Sequence, residues 1–529
     1  MIKKPILILL FVLWASVGWA TDYYVDCSLG TGANDGTSPT DAWQTLSAIT
    51  GLSNGDDLYL KNDTTCTVSS AANELDITWN GVDADNRSVI GCYTSEGVFT
   101  CTVKPIIDGQ GTYPTVENGL VRYKGTTAIY ITIENLNVRN SGWYGIVVND
   151  TTTPAPTGGT GILIQKNYIY RSETAGILLY RTDDSTVTLN TVEESSYLTS
   201  PSGGIVVSAN GLDNGSNNNT VSYNTVFHTY EGINITRKAE DNIVEYNVVY
   251  DTRGPHIYMD ASKRTIVRYN LVYDSSEKAS WNGSTPGILL DNESAYGYCF
   301  LGGNKIHNNL IAGTSTGISM QNQRQWNADE TCTLDDNLIY ANTIVDVTLA
   351  SLRNRFYGDE GAQTCNGTTC TPWSGNEFKN NISWTLSGGN HVRLCDNTGF
   401  NIDYENNLWD DDPGIGACDD DASDPANSDP GLTLKSGWQA LTAGGVTGQE
   451  FSFDGPTAHG VDDGIDITDY NNRISNDPIT TDFHIPGAIV VSTTEDGAYP
   501  DIGAWLYGDG GPSVPIYPLQ GAAGNFKLN

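Results

Sequence analysis

Residues 221–243 read VSYNTVFHTYEGINITRKAEDNI, residues 244–266 read VEYNVVYDTRGPHIYMDASKRTI, and the series restarts at 267–274 with VRYNLVYD. The period is 23 residues, and its columns agree: Val221, Val244 and Val267; Tyr223, Tyr246 and Tyr269; Asn224, Asn247 and Asn270; Val226, Val249 and Val272. A unit this short encloses no core by itself, so it must stack on copies of itself.

Working outward, an Asn followed by aliphatic or aromatic residues recurs at 137, 167, 190, 224, 247, 270, 309, 342, 381 and 407. The short spacings fit one turn of a coil and the long ones fit a turn carrying an inserted loop. An Asn amide both donates and accepts, so a column of them suits a ladder along the coil axis at a tight corner. A second column has the form Gly-Ile-x-aliphatic, at 145–148, 176–179, 204–207, 232–235, 287–290 and 317–320, with HIYM at 256–259. Strand alternation sends Ile233, Ile235, Ile257, Met259, Ile288 and Leu290 inward and Asn234, Thr236, Tyr258, Asp260, Leu289 and Asp291 outward. Short β-branched runs, 57 Gly and only 3 Met predict an all-β chain, and the spacings of the Asn column fit the turns of a parallel β-helix solenoid.

The first twenty residues read as a secretory signal peptide, with Lys3 and Lys4, an apolar run from Ile6 to Leu13, and small residues at Gly18 and Ala20 before Thr21. The run is too short for an ordinary membrane span. An exported location, extracellular, periplasmic or cell-surface, follows, and ten cysteines beyond the cleavage point then favour disulfides over metal clusters. Near-neighbour pairing gives Cys92–Cys101, Cys365–Cys370 and Cys395–Cys418, with Cys27–Cys66 and Cys299–Cys332 completing the set; the spacing alone leaves the connectivity open. With 27 basic residues against 63 acidic ones, the net charge of −36 argues against nucleic acid or anionic lipid as partner of the whole surface. Monomer is the default state.

The pattern YYVD (23–26), NDGTSP (34–39), AWQTL (42–46), GDDLYLKND (55–63) and KPIIDG (104–109) resembles the opening of secreted right-handed parallel β-helix proteins of the pectin-lyase-like superfamily, and YPDIGAWLYG (499–508) resembles its closing segment. The resemblance implies a cap over residues 21–127 together with the first strands, a coil over 128–410, a closing region over 411–507 and a tail over 508–529. The acidic stretch from Asp410 to Gly431 is either solvated or a calcium site.

Departures from the period locate the candidate site. His256 stands where neighbouring rungs have Gly: either a functional titratable group or a His that caps the turn after Pro255. Six of the 27 basic residues fall between 237 and 268. Arg268 is assigned to a cross-rung salt bridge with Glu245. Arg237, Lys238, Arg253, Lys263 and Arg264 are expected to ring a groove that holds an anionic polysaccharide. In β-elimination of a uronate polymer, Lys238 or His256 serves as base and Tyr258, Arg253 or Arg264 as proton donor. Arg237, Lys263 and Asn234 then bind substrate, while Asp260, Asp291 and Glu231 hold calcium. Hydrolysis by two carboxylates and non-catalytic glycan binding are the alternatives. Alginate and dermatan-type β-helix lyases show Glu-x-Glu, then Lys, then Arg; Glu231 and Lys238 match, Ile233 stands at the second Glu, and Arg264 approximates the Arg. Asp183-Asp184 is the one trace of the pectin-hydrolase series, and Pro255-His256 of the epimerase Asp-Pro-His element, with Gly254 in place of Asp.

Overall fold

The computed structural model describes residues 20–409, without 30–33, 71–72, 115–117, 124–128, 149–158, 197–201, 210–214, 276–284, 294–298, 328, 330, 357–363, 366–367, 380, 385–389, 394–400 and 406, and adds 432–434 and 451–453. The signal peptide, the acidic stretch after Asp410 and most of the closing region and tail lie outside the described residues.

Three long parallel sheets of 13, 12 and 11 strands run the length of the described chain, and each turn of the coil contributes one strand to each in order. One turn runs through Thr220–Ser222 in the first sheet, Thr225–Phe227 in the second and Glu231–Thr236 in the third. The next turn repeats the order with Ile243–Glu245, Val248–Tyr250 and Ile257–Asp260. The 23-residue repeat is therefore one rung of a right-handed parallel β-helix. Register follows the columns: Val221 pairs with Val244 and Val244 with Val267, while Val226 pairs with Val249 and Ile233 with Ile257. Val221, Val244, Val267, Val226, Val249, Val272, Ile233, Ile235, Ile257, Met259, Ile288 and Leu290 are all closed to solvent and belong to one continuous core. The region 21–127 already supplies strands to the stack, among them Asp22–Val25, Asp57–Lys61 and Ser88–Tyr93 in the first sheet.

The corner between the first and second sheets explains both the Tyr and the Asn columns. Tyr223, Tyr246 and Tyr269 adopt left-handed backbone, φ 55°, 56° and 54°, a conformation that costs an L-residue about 1–2 kcal/mol. Ring stacking offsets that cost, with centroids 4.9 Å apart for Tyr223–Tyr246 and 5.2 Å for Tyr246–Tyr269. The following Asn turns inward and joins a ladder. Asn224 Nδ2 donates to Asn247 Oδ1 at 3.0 Å, Asn247 Nδ2 to Asn270 Oδ1 at 3.0 Å and Asn270 Nδ2 to Asn309 Oδ1 at 2.9 Å. The ladder runs from Asn167 to Asn407. Asn137 is a correction: Leu136 fills the ladder slot, its N–H donating to Asn167 Oδ1, and Asn137 lies one residue later, paired with Tyr168 in the second sheet.

A second ladder, not anticipated from the sequence, lines the corner between the third and first sheets, where Asn219 bonds Asn242, and Asn304 bonds Asn337, which bonds Asn376. Its signal was present as Asn-x4-Asn, at 219/224, 242/247, 304/309, 337/342 and 376/381. Cys27–Cys66, Cys92–Cys101 and Cys299–Cys332 are disulfide-bonded as paired from spacing. Cys370 is also disulfide-bonded, and the Cys395–Cys418 pairing lies outside the described residues.

Candidate functional site

Four consecutive strands of the third sheet carry the outward residues singled out above: β1 (Glu231–Thr236), β2 (Ile257–Asp260), β3 (Pro286–Asp291) and β4 (Thr316–Asn322). Register sets Asn234, Tyr258, Leu289 and Ser319 in one axial column. Thr236, Asp260 and Asp291 form the next column, with Gln321 continuing it. These side chains face away from the coil interior yet are nearly closed to solvent: Glu231 is 9% exposed, Asn234 6%, Tyr258 6%, Asp260 2% and Asp291 2%.

Tyr258 stands at the centre of four carboxylates. Its hydroxyl donates to Glu293 Oε1 at 3.1 Å. Burial and the charges of Asp260, Asp291, Glu293 and Glu231 push the phenol well above its ordinary value, so it stays protonated. Glu231 Oε2 accepts from Asn234 Nδ2 at 2.5 Å. Burial raises the Glu231 carboxyl to about 7; the Asn234 bond and Arg237 oppose the shift, and the Glu293 charge reinforces it. Asp291 is likewise raised to about 7, by burial first, against the pull of hydrogen bonds from Gln323, Gln321 and Asn292 and with the push of Glu293. Near neutrality both groups are poised between acid and carboxylate, the state an acid–base catalyst requires.

The two Asp side chains expected to hold calcium are already engaged by hydrogen-bond donors. Asp291 Oδ1 accepts N–H bonds from Asn292 at 2.7 Å and Gln323 at 3.1 Å, and Oδ2 accepts Gln321 Nε2 at 2.7 Å. Asp260 accepts the Thr236 hydroxyl and the Glu293 N–H, each at 3.2 Å. Asp291 thus holds three N–H donors and Asp260 one O–H and one N–H donor, and protonation of Asp291 relieves the repulsion between the paired side chains. Among the described residues no group of three or more His, Cys, Asp or Glu side chains is arranged to hold a metal ion.

His256 is placed differently from the expectation of a groove residue. It is fully buried in the corner between the second and third sheets, with Nδ1 3.1 Å from Pro286 O and Nε2 2.9 Å from Asp274 Oδ1. Close approach dictates Gly in this column elsewhere: a Cβ on Gly232 would lie 2.1 Å from His256 O and 2.5 Å from Val249 Cγ1. At 256 the ring takes that interior space and ties the rung of β2 to that of β3. Asp274 was missed, although the repeated Tyr-Asp of 250–251 and 273–274 was its signal.

The five cations do not ring the acidic face together. Arg264 lies at the corner between the third and first sheets, its Nε 2.7 Å from Asp241 Oδ1 and its Nη2 2.6 Å from Glu240 Oε2. Lys263 beside it sits 4.6 Å over the Phe300 ring. Arg253, at the opposite corner, lies 5.5 Å over the Tyr230 ring. Arg237 and Lys238 close the end of β1 in left-handed backbone, φ 59° and 69°, and Arg237 is the cation whose charge reaches Glu231. Arg268 bridges Glu245 at 2.7 Å as expected.

Comparison with known proteins agrees with this architecture. Residues 119–295 match a family described as right handed beta helix region, and residues 212–393 match one described as periplasmic copper-binding protein (NosD). No curated protein matches the chain. Among solved structures, pectate lyase Pel9A is 14% identical over 92% of this chain and 97% of its own, with TM-score 0.47. The A-module of the Azotobacter vinelandii mannuronan C-5 epimerase AlgE4 is 12% identical over 67% of this chain and 88% of its own, TM-score 0.40. An alginate lyase from Paenibacillus sp. str. FPU-7 is 12% identical over 70% and 99%, TM-score 0.36. The match over residues 119–295 agrees with the right-handed parallel β-helix described above.

Proposed function

We propose that this chain is an exported carbohydrate-active protein that hydrolyses glycosidic bonds of a polysaccharide lying across the outer face of β1–β4. The observation that carries the reading is the Glu231 carboxyl, buried and raised to about 7, beside a second carboxylate, Glu293, that the Tyr258 hydroxyl holds in place. Glu231 donates its proton to the leaving glycosidic oxygen as the C–O bond breaks. Glu293 takes a proton from water, whose oxygen bonds to the anomeric carbon. Asp291, whose oxygens are engaged by three N–H donors, shapes the face and repels excess negative charge. The three disulfides and the partial match to a periplasmic family support export.

β-Elimination of a uronate polymer is the second reading, favoured by Arg237 near Glu231 and by the protonated Tyr258 as donor to the leaving oxygen. The two chemistries separate on one assay. Incubation with a panel of polysaccharides releases reducing ends without new ultraviolet absorbance in hydrolysis, and with the absorbance of unsaturated uronate in elimination. Binding without either product leaves a glycan-binding protein and refutes the catalytic reading.

A further inference from the structure

Hydrogen-bond polarity on the acidic face selects the kind of sugar. Each donor there with a partner on the face is engaged by a carboxylate: Tyr258 Oη by Glu293, Asn234 Nδ2 by Glu231, Thr236 Oγ1 by Asp260 and Gln321 Nε2 by Asp291. Asn234 Oδ1, by contrast, is buried and has no hydrogen-bond partner, in a side chain only 6% exposed. Its Nδ2 faces Glu231 Oε2, which leaves Oδ1 as the acceptor without a partner. A buried acceptor without a donor costs about 1–3 kcal/mol, which a donating ligand removes.

Acceptors in excess call for a ligand that brings donors. Sugar hydroxyls do so; a uronate carboxylate brings only further acceptors and a negative charge into a set that already holds Glu231, Asp260, Asp291 and Glu293. Three of the five cations that would neutralise it, Arg253, Lys263 and Arg264, stand at the corners against Tyr230, Phe300, and Glu240 with Asp241. The geometry points to an uncharged, hydroxyl-rich glycan as substrate, with Asn234 Oδ1 accepting from one sugar hydroxyl. This rests on the reading of the face as a glycan site and departs from the anionic polymer expected from the clustered basic residues.

Affinity electrophoresis and calorimetry of the full chain against neutral polymers (β-glucan, xylan, mannan, galactan) and polyuronates (polygalacturonate, alginate), at pH 6 and pH 8, test it. Retention by a neutral polymer, loss of about tenfold in affinity in Asn234→Leu, and a gain of about tenfold for polyuronate in Glu231→Gln/Glu293→Gln are the expected results, each the worth of about one hydrogen bond or charge contact. Polyuronate bound by the wild type as tightly as any neutral polymer overturns the substrate class and leaves the glycan site standing. Retention by neither class, in a chain whose circular dichroism is that of the folded β-helix, overturns both.

Discussion

The Asn ladder and the acidic face are both columns of buried polar side chains on the same rungs, and they differ in how their hydrogen bonds close. In the ladder each Asn donates to the next Asn and to backbone carbonyls while its Oδ1 accepts from the rung before; Asn247 bonds Asn270, Val221 O and Glu245 O, and accepts from Asn224. On the acidic face the donors are consumed by carboxylates, and Asn234 Oδ1 has no partner. A column that satisfies itself is scaffold. A column that lacks donors is what the proposed glycan site rests on.

The largest effect expected is on catalysis. Glu231→Gln should lower turnover by about 10²–10⁴-fold with the unfolding transition retained; unchanged turnover would make the acidic face scaffold like the ladder. Asn247→Ala should do the reverse, leaving turnover per folded molecule intact while removing about 3 kcal/mol of stability, since it orphans the buried Asn224 amide and neighbouring carbonyls. Denaturant midpoints measure it, and a neutral result would mean that the ladder is decorative. His256→Ala tests a residue between the two classes. We expect a loss of about 2 kcal/mol from leaving Asp274 without its ring partner, and a turnover at least a tenth of wild type.

The pH dependence is subtler. Glu231 and Asp291 both have folded values raised to about 7, so the folded chain binds their protons more tightly than the unfolded one. The stabilisation they give is full below about pH 4 and is lost as pH rises through 7. Unfolding midpoints of wild type should therefore fall over that window relative to Glu231→Gln/Asp291→Asn, and parallel curves would refute the buried-acid description. Turnover should decline above pH 7 as Glu231 loses its proton. The smallest effect is at Arg264, whose ion pairs with Asp241 and Glu240 are half exposed: Arg264→Ala should change stability by less than about 1 kcal/mol and leave turnover unchanged.

Legibility followed periodicity. The Val, Tyr and Asn columns, the inward and outward alternation of β1–β3 and the Arg268–Glu245 bridge were all readable, because a coil repeats one local solution at each turn and repetition is visible in one dimension. The outward set Asn234, Tyr258, Asp260 and Asp291 was readable for the same reason, whereas strict alternation would put Glu231 on the side of Ile233 and Ile235. His256 and the basic residues were not. Their departure from the repeat was evident, yet whether a departure points into a corner, across it or onto the face depends on the turn that carries it.

The 23-residue period by itself determined that rungs stack and which residues of each strand look outward, since parallel pairing and alternation leave no other arrangement. Only the tertiary structure decided the chemistry of that outward face. Burial there lifts two carboxyls toward neutrality, and corner packing draws Arg253, Lys263 and Arg264 onto other partners. Desolvation and charge pairing depend on neighbours a full turn away in space, which the order of residues does not record.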